Sequence, residues 1–240
     1  MRSTLWLALA SLCVLFPFAA HSQTTSGSIW GDETWDSTMN PILVTGDVTI
    51  EEGATLTIEA GTEVRFEPSA DTEYGWDFDR CEIIVYGTLD ILGTADNLVV
   101  LTGRDTAAMG WFGIVFSDVN AAGTIEYCNI DRSVYGINFT SCATLPAAPP
   151  SVSNCLINDV AVGMMFDSDT APSITDCTVI NTGVGFECWD VSAPVITNCN
   201  VSGLAADGRA VYATEYCAPV FVGCALDRKS TRLNSSHVSQ

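Results

Sequence analysis

Histidine and lysine are almost absent from this chain of 240 residues. The two histidines are His21 and His237, and the one lysine is Lys229, so residues 23–226 contain neither type. A histidine general base, a histidine-ligated zinc ion and a Schiff-base lysine are therefore excluded from that stretch. Any catalysis there must depend on Asp, Glu, Arg, Cys, Ser or Tyr side chains.

Positive charge is also scarce. Of the 29 acidic residues only Asp227 lies outside residues 23–226, and of the 9 basic residues four lie outside (Arg2, Arg228, Lys229 and Arg232), which leaves 28 acidic against 5 basic residues. Such a field repels nucleic acid and anionic membrane surfaces. Because 48% of the residues are hydrophobic, the chain is too apolar for an acidic disordered tract, and the acidic residues are expected to coat a folded body.

No apolar run is long enough for a membrane span. The run from Leu5 to Phe18 is shorter than the ~20 residues that a span needs. It follows Met1-Arg2 and precedes Ala20-His21-Ser22, which is the layout of a cleaved secretory signal. We therefore expect residues 1–22 to be a signal peptide that takes Cys13 with it, and the protein to be secreted or displayed at the cell surface. A membrane anchor is the alternative.

The last fourteen residues, 227–240, differ in character from the rest of the chain. They contain three basic residues and lack the alternating apolar pattern that precedes them, which indicates a boundary. The run from Asp227 to His237 also resembles one translated frame of a common sequencing adapter. We therefore expect residues 227–240 to be a non-native tail that belongs to no coil, with the natural chain and further C-terminal domains continuing past Leu226. A native basic tail is the alternative.

Internal repeats dominate the second half of the chain. An eight-residue block recurs as PSVSNCLI (150–157), PSITDCTV (172–179), PVITNCNV (194–201) and PVFVGCAL (219–226), with an earlier copy GTIEYCNI (123–130). Between these blocks lies a second series, GIVF (113–116), GINF (136–139), GMMF (163–166) and GFEC (185–188). Apolar residues two apart indicate strands rather than helical repeats. Two short strands in every ~25 residues predict a β-solenoid.

Alternation of apolar residues breaks inside each block, between Val152 and Cys155 for example. A left-handed bend restores it, and Asn and Asp tolerate that conformation, so bends are predicted at Asn154, Asp176 and Asn198. One column of cysteines is then expected inside the stack: Cys128, Cys155, Cys177, Cys199 and Cys224. In-register parallel strands suit disulfides badly, so buried thiols are favoured. Off the column, Cys142, Cys188 and Cys217 could pair in an oxidising compartment.

Residues 46–66, with the pattern GDVTIEEGATLTIEAGTEVRF, resemble the first coils of secreted bacterial proteins with right-handed β-helix repeats, the pectin-lyase-like fold. Residues 87–96 and 110–116 continue this resemblance, which covers roughly residues 30–226. It implies an all-β, right-handed parallel β-helix, a single-stranded solenoid that is truncated at its C-terminal end. Residues 23–45 would form the lead-in and cap, and residues 46–226 the coils. The fold hosts lyases, hydrolases, adhesins and spacers, so it implies no single activity.

Acidic residues follow the second strand of successive coils and could share a cation. They are Asp167, Asp169, Asp190 and Glu215. Carboxylates held a coil apart are the ligands that Ca²⁺ prefers. The resemblance gives calcium a use, because pectate-lyase-like enzymes hold uronates through it and abstract a proton with a basic residue, here Arg132 or Arg209. The alternative is a solvated acidic surface without a metal.

Aromatic residues gather in an insert at residues 68–80, where Tyr74, Trp76 and Phe78 alternate with acidic residues. On an exposed loop they could stack on sugars, and they could equally pack the loop against the first coils. Two functional hypotheses remain. The first is a β-helix that binds an extracellular polysaccharide or a cell surface, or serves as a structural module, without catalysis. The alternative is a calcium-assisted polysaccharide lyase or another glycan-active enzyme.

Overall fold

The computed structural model describes residues 23–71, 75–104, 109–142, 149–214 and 216–227, together with the backbone of Arg232–Leu233. The predicted signal peptide, Tyr74, Glu215 and most of the predicted tail lie outside these residues. Within the described part of the chain, no helix has the length and apolar character needed to cross a bilayer.

Strands make up most of the described chain. In chain order they are β1 (Gln23–Ile29), β2 (Glu33–Trp35), β3 (Ile42–Ile50), β4 (Thr55–Glu59), β5 (Glu63–Asp71), β6 (Glu82–Val85), β7 (Thr88–Leu92), β8 (Val99–Gly103), β9 (Gly113–Phe116), β10 (Ala122–Glu126) and β11 (Cys128–Asp131). They continue as β12 (Tyr135–Thr140), β13 (Ser151–Ser153), β14 (Leu156–Asp167), β15 (Ser173–Thr175), β16 (Thr178–Cys188), β17 (Val195–Thr197), β18 (Asn200–Ser202), β19 (Arg209–Ala213), β20 (Val220–Val222), β21 (Ala225–Leu226) and β22 (Arg232–Leu233). A short 3-10 helix covers Ser37–Met39.

These strands form a parallel β-helix, as the repeats predict. One sheet has eight strands in the order β2-β4-β7-β10-β13-β15-β17-β20, and the other has fourteen strands. Each strand pairs in parallel with the equivalent strand of the neighbouring coil, so that Val152 lies beside Ile174, and Ile174 lies beside Ile196. Identical positions of successive coils are thereby stacked, which is why the sequence repeats.

A coil contains three straight segments, whereas two were predicted. In residues 151–167, β13 is followed by a bend at Asn154 and then by β14, which itself bends at Asp159; both residues are left-handed, with φ 54°. The next coil repeats the two bends at Asp176 and Asn181, each with φ 53°. The first bend coincides with the break in apolar alternation. At the second bend the buried residues Ile157 and Val160 are again three positions apart, but the next coil has the polar Thr182 at the position of Val160, so this bend was not predicted from the repeats.

Large side chains of the core are stacked along the helix axis. Phe139 lies between Phe116 and Phe166, with ring centroids 5.3 and 5.5 Å away and interplanar angles of 14° and 3°. All three rings are fully buried. At the last coil Phe221 is only partly buried. Burial of apolar surface between coils is the dominant favourable term in such a fold.

The predicted tail is not wholly separate from the fold. Its residues Arg232–Leu233 form β22, which pairs in parallel with β19 through Tyr212 and Ala213. This pairing was not predicted, because the tail lacks the apolar alternation of a coil. The pairing uses backbone groups, which any residue other than proline can supply.

Candidate functional site

One face of the larger sheet points away from the core and carries a ladder of outward side chains. Paired strands place these residues in one row, each one coil from the next: Thr49, Ile84, Val115, Asn138, Met165, Glu187 and Tyr212. Adjacent coils are ~4.8 Å apart, so the row spans roughly 29 Å. We call this row the outer face. Ile84, Val115 and Asn138 in its middle are buried, whereas Thr49 at one end and Met165, Glu187 and Tyr212 at the other are half-buried. The row is therefore accessible to a ligand mainly at its two ends.

The N-terminal end of the outer face contains a groove of about 820 Å³. Strands β1, β3 and β6 contribute to it, and so does the stretch of residues 75–80 that leads into β6, here called the aromatic segment. Trp76 and Phe78 line the groove and are 51% and 73% exposed. Thr49, Glu51 and Tyr86 line it as well. The groove therefore presents aromatic rings beside hydroxyl and carboxylate groups.

A buried carboxyl pair lies beneath the aromatic segment. The Glu82 side chain is fully buried, and its Oε1 accepts hydrogen bonds from the backbone N–H of Trp76 and from that of Asp77 at 3.4 Å. The Glu82 backbone N–H donates to Asp47 Oδ1 at 3.1 Å. Burial raises the pKa of Glu82 to about 8; the Trp76 hydrogen bond opposes this rise and the charge of Asp47 adds to it. Glu82 is therefore mostly protonated at neutral pH.

A second aromatic cluster lies toward the C-terminal end of the outer face. The rings of Trp189 and Tyr212 have centroids 5.5 Å apart, and the Arg209 guanidinium lies 5.1 Å from the Tyr212 ring centroid. The latter distance is within the range of a cation–π interaction. Burial raises the pKa of the neighbouring Glu187, while a hydrogen bond from Trp189 and the charge of Arg209 act in the opposite direction. This cluster combines an aromatic platform with one cation and one carboxyl group.

Two of the three aromatic residues predicted to contact sugars, Trp76 and Phe78, line the groove. The third, Tyr74, lies outside the described residues. The alternative, in which the insert packs its aromatic rings against the first coils, does not fit the high exposure of Trp76 and Phe78. Their role in binding stays a prediction.

The acidic residues predicted to bind Ca²⁺ do not share one column. Asp167 lies beside Trp189 of the next coil, because the Trp189 N–H donates to the Phe166 carbonyl at 2.8 Å. Asp169 and Asp190 are exposed and left-handed, and Glu215 is outside the described residues. Among the residues that the structure describes, no three His, Cys, Asp or Glu side chains form a group that could hold a metal ion. Calcium binding at this corner stays a prediction.

The cysteine column lies inside the stack. Cys128, Cys155, Cys177 and Cys199 are buried, and Cys224 of the last coil is partly exposed. The backbone N–H of Cys177 contacts Cys199 Sγ, and that of Cys199 contacts Cys224 Sγ, each at 3.4 Å. Beside the column, Asn154, Asp176 and Asn198 occupy left-handed bends. None of the nine cysteines among the described residues forms a disulfide, including Cys142, Cys188 and Cys217.

Native thiols are expected to react slowly with an aromatic disulfide reagent at pH 8. Burial raises the pKa of Cys128, and the thiolate is the reactive form. Labelling of the native protein should therefore proceed at least about tenfold more slowly than labelling in denaturant. Mass spectrometry can locate the label, and rapid modification of Cys155, Cys177 or Cys199 before unfolding would contradict their placement in the core.

A profile of the right-handed β-helix region matches residues 89–232, which is more than half of the chain. The protein belongs to the right-handed β-helix family. No curated protein and no solved structure matches it. The matched region of this right-handed β-helix begins inside β7 and includes the Trp189 cluster, whereas Asp47, the aromatic segment and Glu82 precede it.

Sequence reasoning missed the carboxyl pair and the Trp189 cluster. Glu82 opens β6 and points outward, as a polar residue usually would, so its pattern suggested ordinary surface. Only the preceding aromatic insert signals that something covers it. Trp189 directly follows the repeated GFEC block, and Tyr212 stands at the equivalent of Glu187. Alignment of those two coils was the signal that could have paired them.

Proposed function

We propose that this right-handed β-helix binds a neutral polysaccharide along its outer face, without catalysis, after export from the cell. The observation that carries the proposal is the exposure of Trp76 and Phe78 on a groove whose other lining residues are mainly polar. Exposed aromatic rings beside polar groups are characteristic of recognition surfaces. Tyr86 and Trp189 lie in a second outward row, four coils and therefore roughly 19 Å apart. An extended chain could thus contact both aromatic groups.

Charge favours a neutral ligand over a uronate polymer. The chain has a formal net charge of −20, and Glu51 lies on the groove itself. An anionic polymer would meet the net negative charge of the chain and the Glu51 carboxylate on the groove, whereas a neutral sugar presents hydroxyl groups that can donate hydrogen bonds to carboxylates. A lyase acting on uronates would therefore need a cation to hold its substrate.

Absence of catalysis agrees with the chemistry available in the groove. The carboxyl group with the most strongly raised pKa among the described acids, Glu82, is fully buried and cannot reach a bound sugar while the aromatic segment covers it. Residues 23–226 also provide no histidine or lysine base. Export belongs to the same proposal, and a mature N-terminus at Gln23 in the secreted protein is its direct test.

Trp76→Ala is expected to weaken binding to a neutral polysaccharide by about tenfold to thirtyfold, because exposed aromatic residues at the centre of a site dominate its affinity. Affinity gel electrophoresis against a neutral β-glucan, xylan and mannan identifies a polymer that retards the native protein. Calorimetry with a soluble oligomer of that polymer then measures the loss. Alginate and polygalacturonate serve as anionic comparisons.

Leu92→Ala is the matched control, since Leu92 is an exposed apolar residue of the other sheet. It should leave the affinity unchanged. Retardation by polygalacturonate alone, together with release of an unsaturated product that absorbs in the ultraviolet, would replace this proposal with the lyase alternative. Equal binding by native protein and Trp76→Ala would remove the groove from the site.

A further inference from the structure

The Glu82 side chain is one of the contacts that hold the aromatic segment; the others include a hydrogen bond from Arg80 Nε to the Met109 carbonyl at 3.0 Å and an antiparallel bridge between Arg80 and Pro68. Glu82 accepts the backbone N–H groups of Trp76 and Asp77, and its own N–H is held by Asp47 of β3. Within the segment, Asp77 Oδ2 pairs with Arg80 Nη1 at 2.8 Å. These internal bonds make the segment a unit, and the Glu82 carboxyl connects that unit to β6.

We propose that the Glu82 carboxyl is a proton-dependent latch that holds Trp76 and Phe78 in place on the groove. The latch itself depends only on the contacts between the segment and the sheet. Its consequence for ligand affinity rests on the function proposed above.

The surroundings of Glu82 oppose its ionised form. Its Oε2 is buried and has no hydrogen-bond partner. The acidic group of Asp47 faces it from β3, and that of Asp77 faces it from the aromatic segment. Tyr86 directly follows β6, the strand that Glu82 begins. The residue that pairs with Glu82 on β9 is Gly113, which has no titratable group. The free-energy cost of a second negative charge in this enclosed space would fall if the segment opened and exposed Glu82 to water.

Closure of the aromatic segment is coupled to protonation of Glu82. The pKa of Glu82 in the latched state, about 8, is higher than its ordinary value of 4.5. Protonation therefore favours the latched state. Its advantage is complete below the ordinary pKa and is lost as pH rises toward the latched pKa, by up to about tenfold in the closing equilibrium for each pH unit. The segment should open progressively as the solution becomes alkaline.

Gly75 shows how closely the segment approaches the carboxyl pair. A Cβ atom at this position would overlap Glu82 Oε1 and would lie 2.9 Å from Asp47 Oδ2. Since Glu82 is enclosed, it cannot move aside cheaply. Gly75→Ala should therefore displace the segment from Glu82 at every pH, without any change in charge.

Fluorine NMR of protein labelled with 5-fluorotryptophan tests the latch without any glycan. The Trp76 resonance, assigned by its loss in Trp76→Phe, should shift between pH 5 and pH 9 with a midpoint well above 4.5. In Glu82→Gln it should stay at its low-pH position, because the amide keeps the acceptor and cannot ionise. Trp111, whose buried indole donates to the Asp131 carbonyl at 2.9 Å, is the internal control and should not shift.

Two further variants keep the test decisive if Glu82→Gln does not fold. Asp47→Asn retains an acceptor for the Glu82 N–H and removes the like charge, so the midpoint should fall. Gly75→Ala should show the high-pH resonance throughout. A Trp76 resonance that is constant from pH 5 to pH 9 in the native protein, or a transition that persists unchanged in Glu82→Gln or Asp47→Asn, would overturn the latch.

The function proposed above is tested separately by affinity for the polysaccharide selected in the gel assay. With both proposals correct, native affinity falls between pH 5 and pH 9 and that of Glu82→Gln does not. A titrating Trp76 resonance without any polysaccharide binding would leave the latch standing and remove the proposed ligand. Binding that is equally tight at both pH values, with a constant resonance, would remove the latch alone.

Discussion

Cys177→Asp is expected to lower the free energy of unfolding by about 3–5 kcal/mol, which is the cost of an uncompensated buried charge. The Cys177 side chain is 1% exposed and its Sγ donates to the Thr175 carbonyl at 3.3 Å and to the Val152 carbonyl at 3.8 Å. A carboxylate cannot donate to those oxygens and is repelled by them. Protonation of the aspartate would remove the repulsion but would still leave a polar group in the apolar core.

Urea denaturation followed by far-ultraviolet circular dichroism measures this loss. Cys177→Ala is the control for removal of the thiol, and we expect it to cost only about 1 kcal/mol because little volume is lost. Ser173→Asp is the matched control for charge, since Ser173 is exposed on the neighbouring strand β15. It should change stability by less than about 0.5 kcal/mol. A Cys177→Asp variant as stable as Cys177→Ala would place the cysteine column outside the core.

The cysteine column and its bends were predictable because each coil repeats the same odd spacing between inward-facing residues. A chain that alternates inward and outward side chains must bend wherever two inward residues are an odd number of positions apart. Val152 and Cys155 are three positions apart, and Asn154 between them is left-handed. Because the coils stack in register, the equivalent residues Asp176 and Asn198 are also left-handed.

The third segment of each coil was missed, although the same rule detects it in residues 156–167. Ile157 and Val160 are both buried and three positions apart, and Asp159 between them is left-handed. In the next coil the position of Val160 is taken by Thr182, which is buried but polar. Apolar alternation therefore marks the second bend in one coil, and a buried hydroxyl side chain hides it in the next.

The groove could be predicted only in part. Aromatic residues in an insert predicted an exposed surface, and Trp76 and Phe78 line a groove. The partner that positions them, Glu82, stands next to the insert in sequence, but Asp47 comes from β3, one coil earlier. Burial of an acid by a loop depends on how that loop folds back, and no periodic pattern encodes it.

Phe139→Ala is expected to lower the free energy of unfolding by about 3–5 kcal/mol, because it removes a fully buried ring and leaves a cavity. The ring lies between Phe116 and Phe166, so its loss deprives both neighbouring coils of contacts. Asn138→Ala is the matched control on the same strand, since Asn138 is also buried but lies outside the apolar core cluster and its Oδ1 has no hydrogen-bond partner to lose. Urea denaturation should show a clearly smaller loss for this variant, and equal losses would contradict the inward placement of Phe139.

Phe139→Ala also tests whether the groove and the Trp189 cluster bind the same polysaccharide chain. In a solenoid each coil contacts only its neighbours, so a weakened coil loosens the connection between the parts on either side of it. Phe139 belongs to β12, which lies between the groove at Trp76 and the cluster at Trp189. A long polysaccharide that contacts both groups gains from their fixed spacing, whereas a short oligomer that fills the groove alone does not. Phe139→Ala should therefore weaken binding of the long polymer more than binding of the short oligomer. Calorimetry with both ligands can measure the difference. Equal weakening would mean that the two aromatic groups do not bind one polysaccharide chain.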